Sequence, residues 1–438
     1  MSPHADPALE RAIGVPALAA ATVNNIIGSG IFALPAIVAA VLGPAAILAY
    51  LVCAAAMGLV TLCLVEAGSR VSTTGGTYAY VETAFGPYVG FLIAVLFWFG
   101  SQALASAAVA SLLVDSVAVL VSWASTPIPR ATILIAVFGS VALANIRGVR
   151  VGSRLIEVVT AAKVAPLALL AVAGVVAGHA TNLAWTHVPP IADIARASLV
   201  LVFAFMGVET ALTPGGEVKD PARTVPRGVL AGLLAVVVLY SALQLATQAI
   251  LGADLARHPA APLAAAAERA FGAGGGTLML VAAIISTFGY ICGDMLATPR
   301  VVFACARDGF LPSRAGAVHP RFHTPYIAIA IHAGVTCALA ITGTFRALAV
   351  LSVVSLLLIY LACCLATLEL RRRDIRADGP PFRVPGGPAV PLLASAVIVW
   401  LLTGASRAEF AAVAAMLVVA SVLYRFRRTA VRPGTASP

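Results

Sequence analysis

Apolar residues run along this chain in long blocks, separated by short joints rich in Pro, Gly and Arg. The blocks fall at roughly 14–41, 44–67, 88–121, 130–146, 153–177, 194–215, 226–251, 276–304, 325–343, 346–368, 388–404 and 407–425. One bilayer crossing as α-helix takes about 20 apolar residues, so the pattern predicts an all-α polytopic membrane protein with about twelve spanning helices. The dyad alternation of a membrane β-barrel is missing, which leaves helices as the spanning solution. The membrane domain is expected over 14–428, with a polar tail over 1–13 and another over 429–438. The polar, acidic start runs into a full span and reads as a tail, not as a cleavable leader.

Two spans are interrupted where a membrane helix has most to lose. The first carries Asn24-Asn25-Ile26-Ile27-Gly28-Ser29-Gly30-Ile31-Phe32, and the sixth carries Phe203-Ala204-Phe205-Met206-Gly207-Val208-Glu209. Each interior Gly weakens a helix by about 1 kcal/mol. Gly28 and Gly30 alone would read as close helix packing. A second interruption in the matching place, with an acid in it, changes that reading. It predicts inverted repeats of five helices each, helices 1–5 over about 14–177 and helices 6–10 over about 194–368, followed by two extra C-terminal helices. Unwinding frees N–H and C=O groups that hydrocarbon cannot satisfy. A helix N-terminus at the break favours a carboxylate, and freed carbonyls favour an ammonium group. Together they suit the α-amino and α-carboxyl groups of an amino acid.

Composition sharpens the class. Hydrophobic residues make up 61% and charged residues 11%, against about 25% charged in a soluble domain. The net charge of +10 raises the question of nucleic acid. Most of the 28 Lys and Arg, however, fall on one side of the expected topology. That is the positive-inside bias, and it predicts a multi-pass protein of the plasma (inner) membrane with both termini cytoplasmic and no nucleic-acid partner. Arg371–Arg373 and Arg425–Arg428 read as anchors near acidic lipid headgroups. The seven cysteines all lie in apolar spans without metal-ligand spacing, and read as small core residues.

Ile27-Gly28-Ser29-Gly30-Ile31-Phe32 resembles the first-helix signature of amino-acid permeases of the amino acid–polyamine–organocation superfamily. Gly207-Val208-Glu209, and the run from Gly216-Glu217-Val218-Lys219-Asp220-Pro221 to Arg227, resemble the sixth helix and the loop after it. Gly75-Gly76-Thr77-Tyr78-Ala79-Tyr80 with Ala84-Phe85-Gly86 resembles the loop between helices 2 and 3, and Ala306-Arg307-Asp308-Gly309 the end of helix 8. Ser72-Thr73-Thr74 departs from the Pro-x-Ala usual before the double Gly. The resemblance implies that the amides of Ser29 and Gly30 take a substrate carboxylate. Carbonyls near Ile26, Phe203 and Met206 would take the amino group, with Gly28 and Gly207 in the unwound stretches. Phe203 would occupy the place of an aromatic gate.

Charges inside spans are costly and mark function by default. Lys163 lies about 15 Å into span 5. It resembles the helix-5 lysine of proton-coupled permeases, which implies a proton-coupling group; a fixed pin on carbonyls of span 1 is the alternative. Glu209 would hydrogen-bond the broken backbone or carry a proton, against a static packing contact. Asp294 in span 8 falls near a side-chain pocket position of the family and would receive a cationic side chain or an amine, unless it is a paired structural acid, one facing Lys163 for instance. Asp115 reads as interfacial, Glu157 as paired at the rim, and His332 as a satisfied packing residue. Trp98, Ser101, Ala105, Cys292 and Ser355 are possible pocket walls by position.

The expected function is secondary active amino-acid transport, proton-coupled, by alternating access at the breaks. The alternative is an amino-acid or amine exchanger or exporter without net proton coupling. No paired His at helical spacing, HExxH or Gly-x-Ser-x-Gly points to an enzyme, and nothing resembles a channel filter. The expected partners are a small-molecule amino acid, protons and the lipid bilayer, with no cofactor or metal. Neutral versus cationic cargo, direction, stoichiometry and oligomeric state are left open.

Overall fold

The structure is a computed structural model that describes residues 14–71, 76–148, 153–185, 188–209, 218, 221–307, 311–376 and 380–430. Among these, the regular elements are all helical. The first crossing is α1 (Val15–Ile26) and α2 (Gly30–Leu42), and α3 (Ile47–Arg70) returns from it. A short α4 (Thr77–Phe85) leads to α5 (Pro87–Val95), a π-helical stretch (Leu96–Ala103) and α6 (Leu104–Leu120), which together make the third crossing. Then come α7 (Pro127–Ile146) and α8 (Ser153–Ala177). The sixth crossing starts as α9 (Ile191–Leu201) and a 3-10 turn (Val202–Phe205), and its continuation over 210–217 lies outside the described residues. Next are α10 (Pro221–Leu251), a short α11 (Pro262–Phe271), and α12 (Ala273–Ala297) running into α13 (Pro299–Arg307) at a proline. Finally α14 (Tyr326–Thr342), α15 (Phe345–Arg372), α16 (Ala389–Leu402) and α17 (Arg407–Ala430) follow.

Each of the twelve predicted blocks therefore contains a helical crossing or, for the sixth, the described half of one. Among the described residues, seven helical stretches are long and apolar enough to cross a membrane by themselves, and shorter apolar helices such as Tyr326–Thr342 and Ala389–Leu402 add to them. Two joints read as loops are short helices instead. α4 buries Ala79, Tyr80, Val81 and Ala84, and α11 buries Leu263, Ala264, Ala266 and Ala267. At 9 and 10 residues both are too short to span. Periodicity over so few residues is weak beside the long blocks on either side.

Large apolar side chains point outward all round the bundle, among them Ile135, Val175, Val176, Leu234 and Val418. In water this would be a liability, but against lipid tails it costs nothing, because the tails are as apolar as the side chains. The inside is packed by small residues instead. α6 buries Ala105, Ser106, Ala107, Ala108, Ala110 and Ser111, which lets its neighbours approach closely. We call the side on which α1 begins the near face and the side on which α2 ends the far face.

At the near face one acid gathers the ends of two crossings. Glu66 is fully buried and accepts from Arg70 (Nε 3.1 Å), from Arg371 (Nε 2.6 Å) and from the Val384 backbone N–H (2.8 Å). Arg70 also donates to the Ile375 carbonyl, so the segment after α15 is strapped across the end of α3. This corrects the reading of Arg371 as a lipid anchor. Arg371 is committed to Glu66, and Arg372 and Arg373 to Glu369. Removing one partner from a buried ion cluster costs about 3–5 kcal/mol, because the others stay buried without it. Glu66→Gln should therefore lower the thermal unfolding midpoint clearly in detergent, while Glu409→Gln at the exposed start of α17 should barely move it. Equal midpoints for Glu66→Gln and wild type would contradict this account of the strap.

Candidate substrate site at two broken helices

The first break is a consequence of three small residues in a row. The Ile27 N–H still reaches the Val23 carbonyl (2.9 Å), but the Gly28 N–H turns back to Ile26 (2.7 Å), and α2 restarts with Phe32 N–H on the Ser29 carbonyl (3.0 Å). Carbonyls that would have been used inside a continuous helix are left over, and hydrocarbon offers them nothing. Three other helices supply donors. Lys163 Nζ of α8 donates to the carbonyls of Asn24 and Ile27, both at 2.8 Å. The Tyr240 hydroxyl of α10 donates to the Ile26 carbonyl (3.1 Å), and Ser286 Oγ of α12 to the Gly28 carbonyl (3.1 Å).

The second break lies against the first. After the 3-10 turn, Met206 is extended and Gly207 takes φ +110°, a conformation that L side chains rarely adopt. The Gly207 N–H is shared by both carboxylate oxygens of Glu209, at 3.2 Å each, and the Tyr360 hydroxyl of α15 donates to the same carboxylate at 2.5 Å. A Cβ on Gly207 would stand 2.5 Å from the Asn25 carbonyl oxygen, and one on Gly30 would stand 2.7 Å from Ala204 Cα. The two unwound backbones touch, and no side chain fits between them.

Beside this contact lies a small cavity of about 20 Å³. Asn25, Ile26, Gly28, Ser29 and Gly30 line it from the first break, and Phe203 and Met206 from the second. Ala105 and Val109 of α6 and Tyr290 of α12 complete the wall. Among the described residues no acidic or basic side chain lines it, so its polar character comes from backbone, from the side chains of Asn25 and Tyr290, and from Ser29, whose buried Oγ has no hydrogen-bond partner among them. The 13-residue α2 points its N-terminus here, where first-turn N–H groups carry partial positive charge. On the far-face side the Phe203 ring packs edge-to-face on Phe345 at 5.6 Å.

Of the residues expected at the site, Ile26, Gly28, Ser29, Gly30, Phe203 and Met206 line the cavity. Gly207 stands behind it, and Lys163 and Glu209 hold the two breaks from outside the lining. Asp294 is a correction. It does not line the cavity: one oxygen takes the Thr298 hydroxyl and the other lies 2.8 Å from His332 Nε2, with both residues buried. His332 is accordingly the partner of an acid, with its Nδ1 unpartnered, and not a satisfied packing residue. Asp294 also does not face Lys163, which is engaged on span 1. Asp115 pairs with Arg130 at the far face, half-buried as an interfacial acid would be. Glu157 has its side chain outside the described residues. Among the possible walls only Ala105 reaches the cavity; Trp98, Ser101, Cys292 and Ser355 do not line it. Tyr240, Ser286, Tyr290 and Tyr360 were missed. Each is a polar group inside an apolar span, which is the signal that would have found them.

The sequence profile of the amino acid permease family matches residues 13–424. The serine/threonine exchanger SteT of Bacillus subtilis is 30% identical over 405 residues, covering 89% of this chain and 90% of that protein. The methylthioribose transporter of the same species is 27% identical over 414 residues, covering 87% and 85%. The Asc-type amino acid transporter 1 of Mus musculus is 29% identical over 354 residues, covering 77% and 66%. These relatives are transporters, not enzymes, and a helical, multi-pass chain whose profile match runs nearly from end to end belongs to the amino acid permease family, whose activity class is amino-acid transport.

Proposed function

We propose that this protein is a secondary active transporter that holds an amino acid between the breaks of its first and sixth crossings. The cargo carboxylate sits at the start of α2, on the amides of Ser29 and Gly30. The amino group sits on carbonyls near Ile26, Phe203 and Met206. The observation that carries this reading is the cavity between two touching, unwound backbones, lined by a helix N-terminus and an unpartnered Ser29 hydroxyl. With no charged side chain among the described residues of its wall, the cavity suits a small neutral cargo. The name of the Bacillus subtilis relative, a serine/threonine exchanger, supports the same class.

Alternating access then follows from the placement of the gate. Phe203 on Phe345 closes the far side, and releasing that contact opens the cavity there. Lys163 is the proton-coupling group in this reading. Its ammonium holds Asn24 in the last turn of α1 and Ile27 at the start of the break, so losing its proton loosens the segment that binds the cargo. Glu209 braces the second break and offers a further proton site. We propose the plasma (inner) membrane with both termini cytoplasmic, on the bias of Lys and Arg along the chain, and two inverted repeats, 14–177 and 194–368. A second reading is exchange without net proton flux. It is favoured by the two short bonds that Lys163 makes to backbone, which suit a fixed pin, and by the exchanger named among the relatives.

Gly28→Ala tests the binding site. Its Cβ would meet the Tyr290 ring at 3.6 Å and the Ile26 carbonyl oxygen at 3.9 Å, both ordinary contacts, so the protein should fold in normal amounts. The methyl would nonetheless narrow the cavity beside the cargo carboxylate. The KM for a small neutral amino acid should rise about tenfold, the effect of about 1.4 kcal/mol of lost contact. An unchanged KM would mean that the cargo sits elsewhere.

A further inference from the structure

A second hollow lies at the far face, where the second half of α9 and the first turn of α15 meet the turn joining α16 to α17. Its volume is about 360 Å³. Its rim carries Arg196, Thr344, Arg346, Ser406 and Glu409 over a floor of buried apolar residues such as Val350. Of the other far-face arginines, Arg130 sits on Asp115, and Arg257 and Arg269 on Asp254, while Arg407, like the pair in the hollow, has no carboxylate partner among the described residues. Arg196 and Arg346 have no carboxylate within ion-pair distance among the described residues, although they share one hollow. The acid on the rim is engaged in its own turn, since Glu409 Oε2 accepts the Ser406 N–H at 2.7 Å and caps α17.

Two guanidinium groups around one concavity repel each other until an anion lies between them, and the planar fork of arginine suits phosphate oxygens. We propose that this hollow binds a phosphate group, free or on a lipid headgroup, between Arg196 and Arg346, and that the bound phosphate braces the gate. The brace follows from where the two arginines stand. Arg196 lies two helical turns before Phe203 on the same crossing, and Arg346 adjoins Phe345. A ligand held by both ties α9, which runs into the turn carrying Phe203, to α15, which carries Phe345, and those two rings close the far side of the cavity. The binding claim is independent of the transport reading; the brace rests on it.

The test is thermal unfolding of the full-length protein in detergent, titrated with inorganic phosphate, with short-chain phosphatidylglycerol, and with a short-chain diacylglycerol that has the same tails and no phosphate. A ligand that binds the folded state raises the midpoint. The expected result is a saturable rise with at least one phosphate compound and none with the diacylglycerol. A rise with inorganic phosphate identifies a free anion, and a rise with phosphatidylglycerol alone identifies a headgroup. Arg346→Gln should weaken the response about tenfold, and Arg196→Gln with Arg346→Gln should abolish it, whereas Arg257→Gln keeps it. No rise with either phosphate compound, or a rise that survives the double substitution, would overturn the site. The active ligand should also slow exchange in proteoliposomes, and a bound ligand without that effect would overturn the brace. Because the midpoint needs no transport, a failed site and a failed transport reading are told apart.

Discussion

Lys163→Ala is expected to abolish uptake driven by a pH gradient, by about a hundredfold or more. The ammonium makes two hydrogen bonds of 2.8 Å to backbone oxygens, and each such charge-assisted bond is worth about 1.5–3 kcal/mol. Those oxygens belong to Asn24 and Ile27, on either side of the point where α1 stops, so the alanine variant loses the support of the break as well as the protonatable group. Lys163→Gln separates the two losses. Its amide keeps a donor for one carbonyl and carries no exchangeable charge. The expected outcome is that the glutamine variant retains exchange of cargo for cargo and loses the response to the gradient. If it responds to the gradient as wild type does, Lys163 is a structural pin and the exchange reading stands.

Gly207→Ala is expected to remove transport almost completely. The position has φ +110°, which costs an alanine about 1–3 kcal/mol. Its Cβ would also lie 2.5 Å from the Asn25 carbonyl oxygen and 2.8 Å from the Asn25 carbonyl carbon. Both are backbone atoms of the facing break, so no side chain can rotate away, and the two crossings must separate at the cargo site. Gly58→Ala provides the control. That glycine lies within α3 with nothing within 4 Å of the built Cβ, so the methyl should be silent or stabilise by up to about 1 kcal/mol. Transport rates normalised to the amount of folded protein measure both. A Gly207→Ala variant with normal rates would mean that the two breaks need not touch.

Much of this architecture could be read in the sequence because the bilayer imposes it. A crossing needs a long apolar block, so all twelve crossings were visible as blocks, and a broken crossing needs residues that tolerate breaking, so Gly28-Ser29-Gly30 and Gly207 were visible as well. Which way a residue faces was not legible, since a helix apolar on all sides carries no moment to orient it. That is why Asp294 read as a pocket acid, although it turns to His332 on another crossing. It is also why Ala105 could not be told from Trp98 or Ser355 as a wall. Glu66 escaped for a different reason. Its pairing with Arg70 is a local i,i+4 pattern, but Arg371 and Val384 stand about three hundred residues away, and no spacing connects them. The donors to the first break, Tyr240 and Ser286, are distant in the same way.

The central claim is that this chain carries a small neutral amino acid through the cavity between its two breaks and couples that movement to protons. The most direct measurement is uptake of a panel of radiolabelled amino acids into proteoliposomes of the purified protein, with and without an imposed inward proton gradient. The account predicts saturable uptake of small neutral amino acids, accumulation that rises with the gradient, and no competition from lysine or arginine. Saturable flux that ignores the gradient and requires cargo on both sides would contradict proton coupling and identify an exchanger. Flux of cationic amino acids alone would contradict the uncharged cavity as the cargo site.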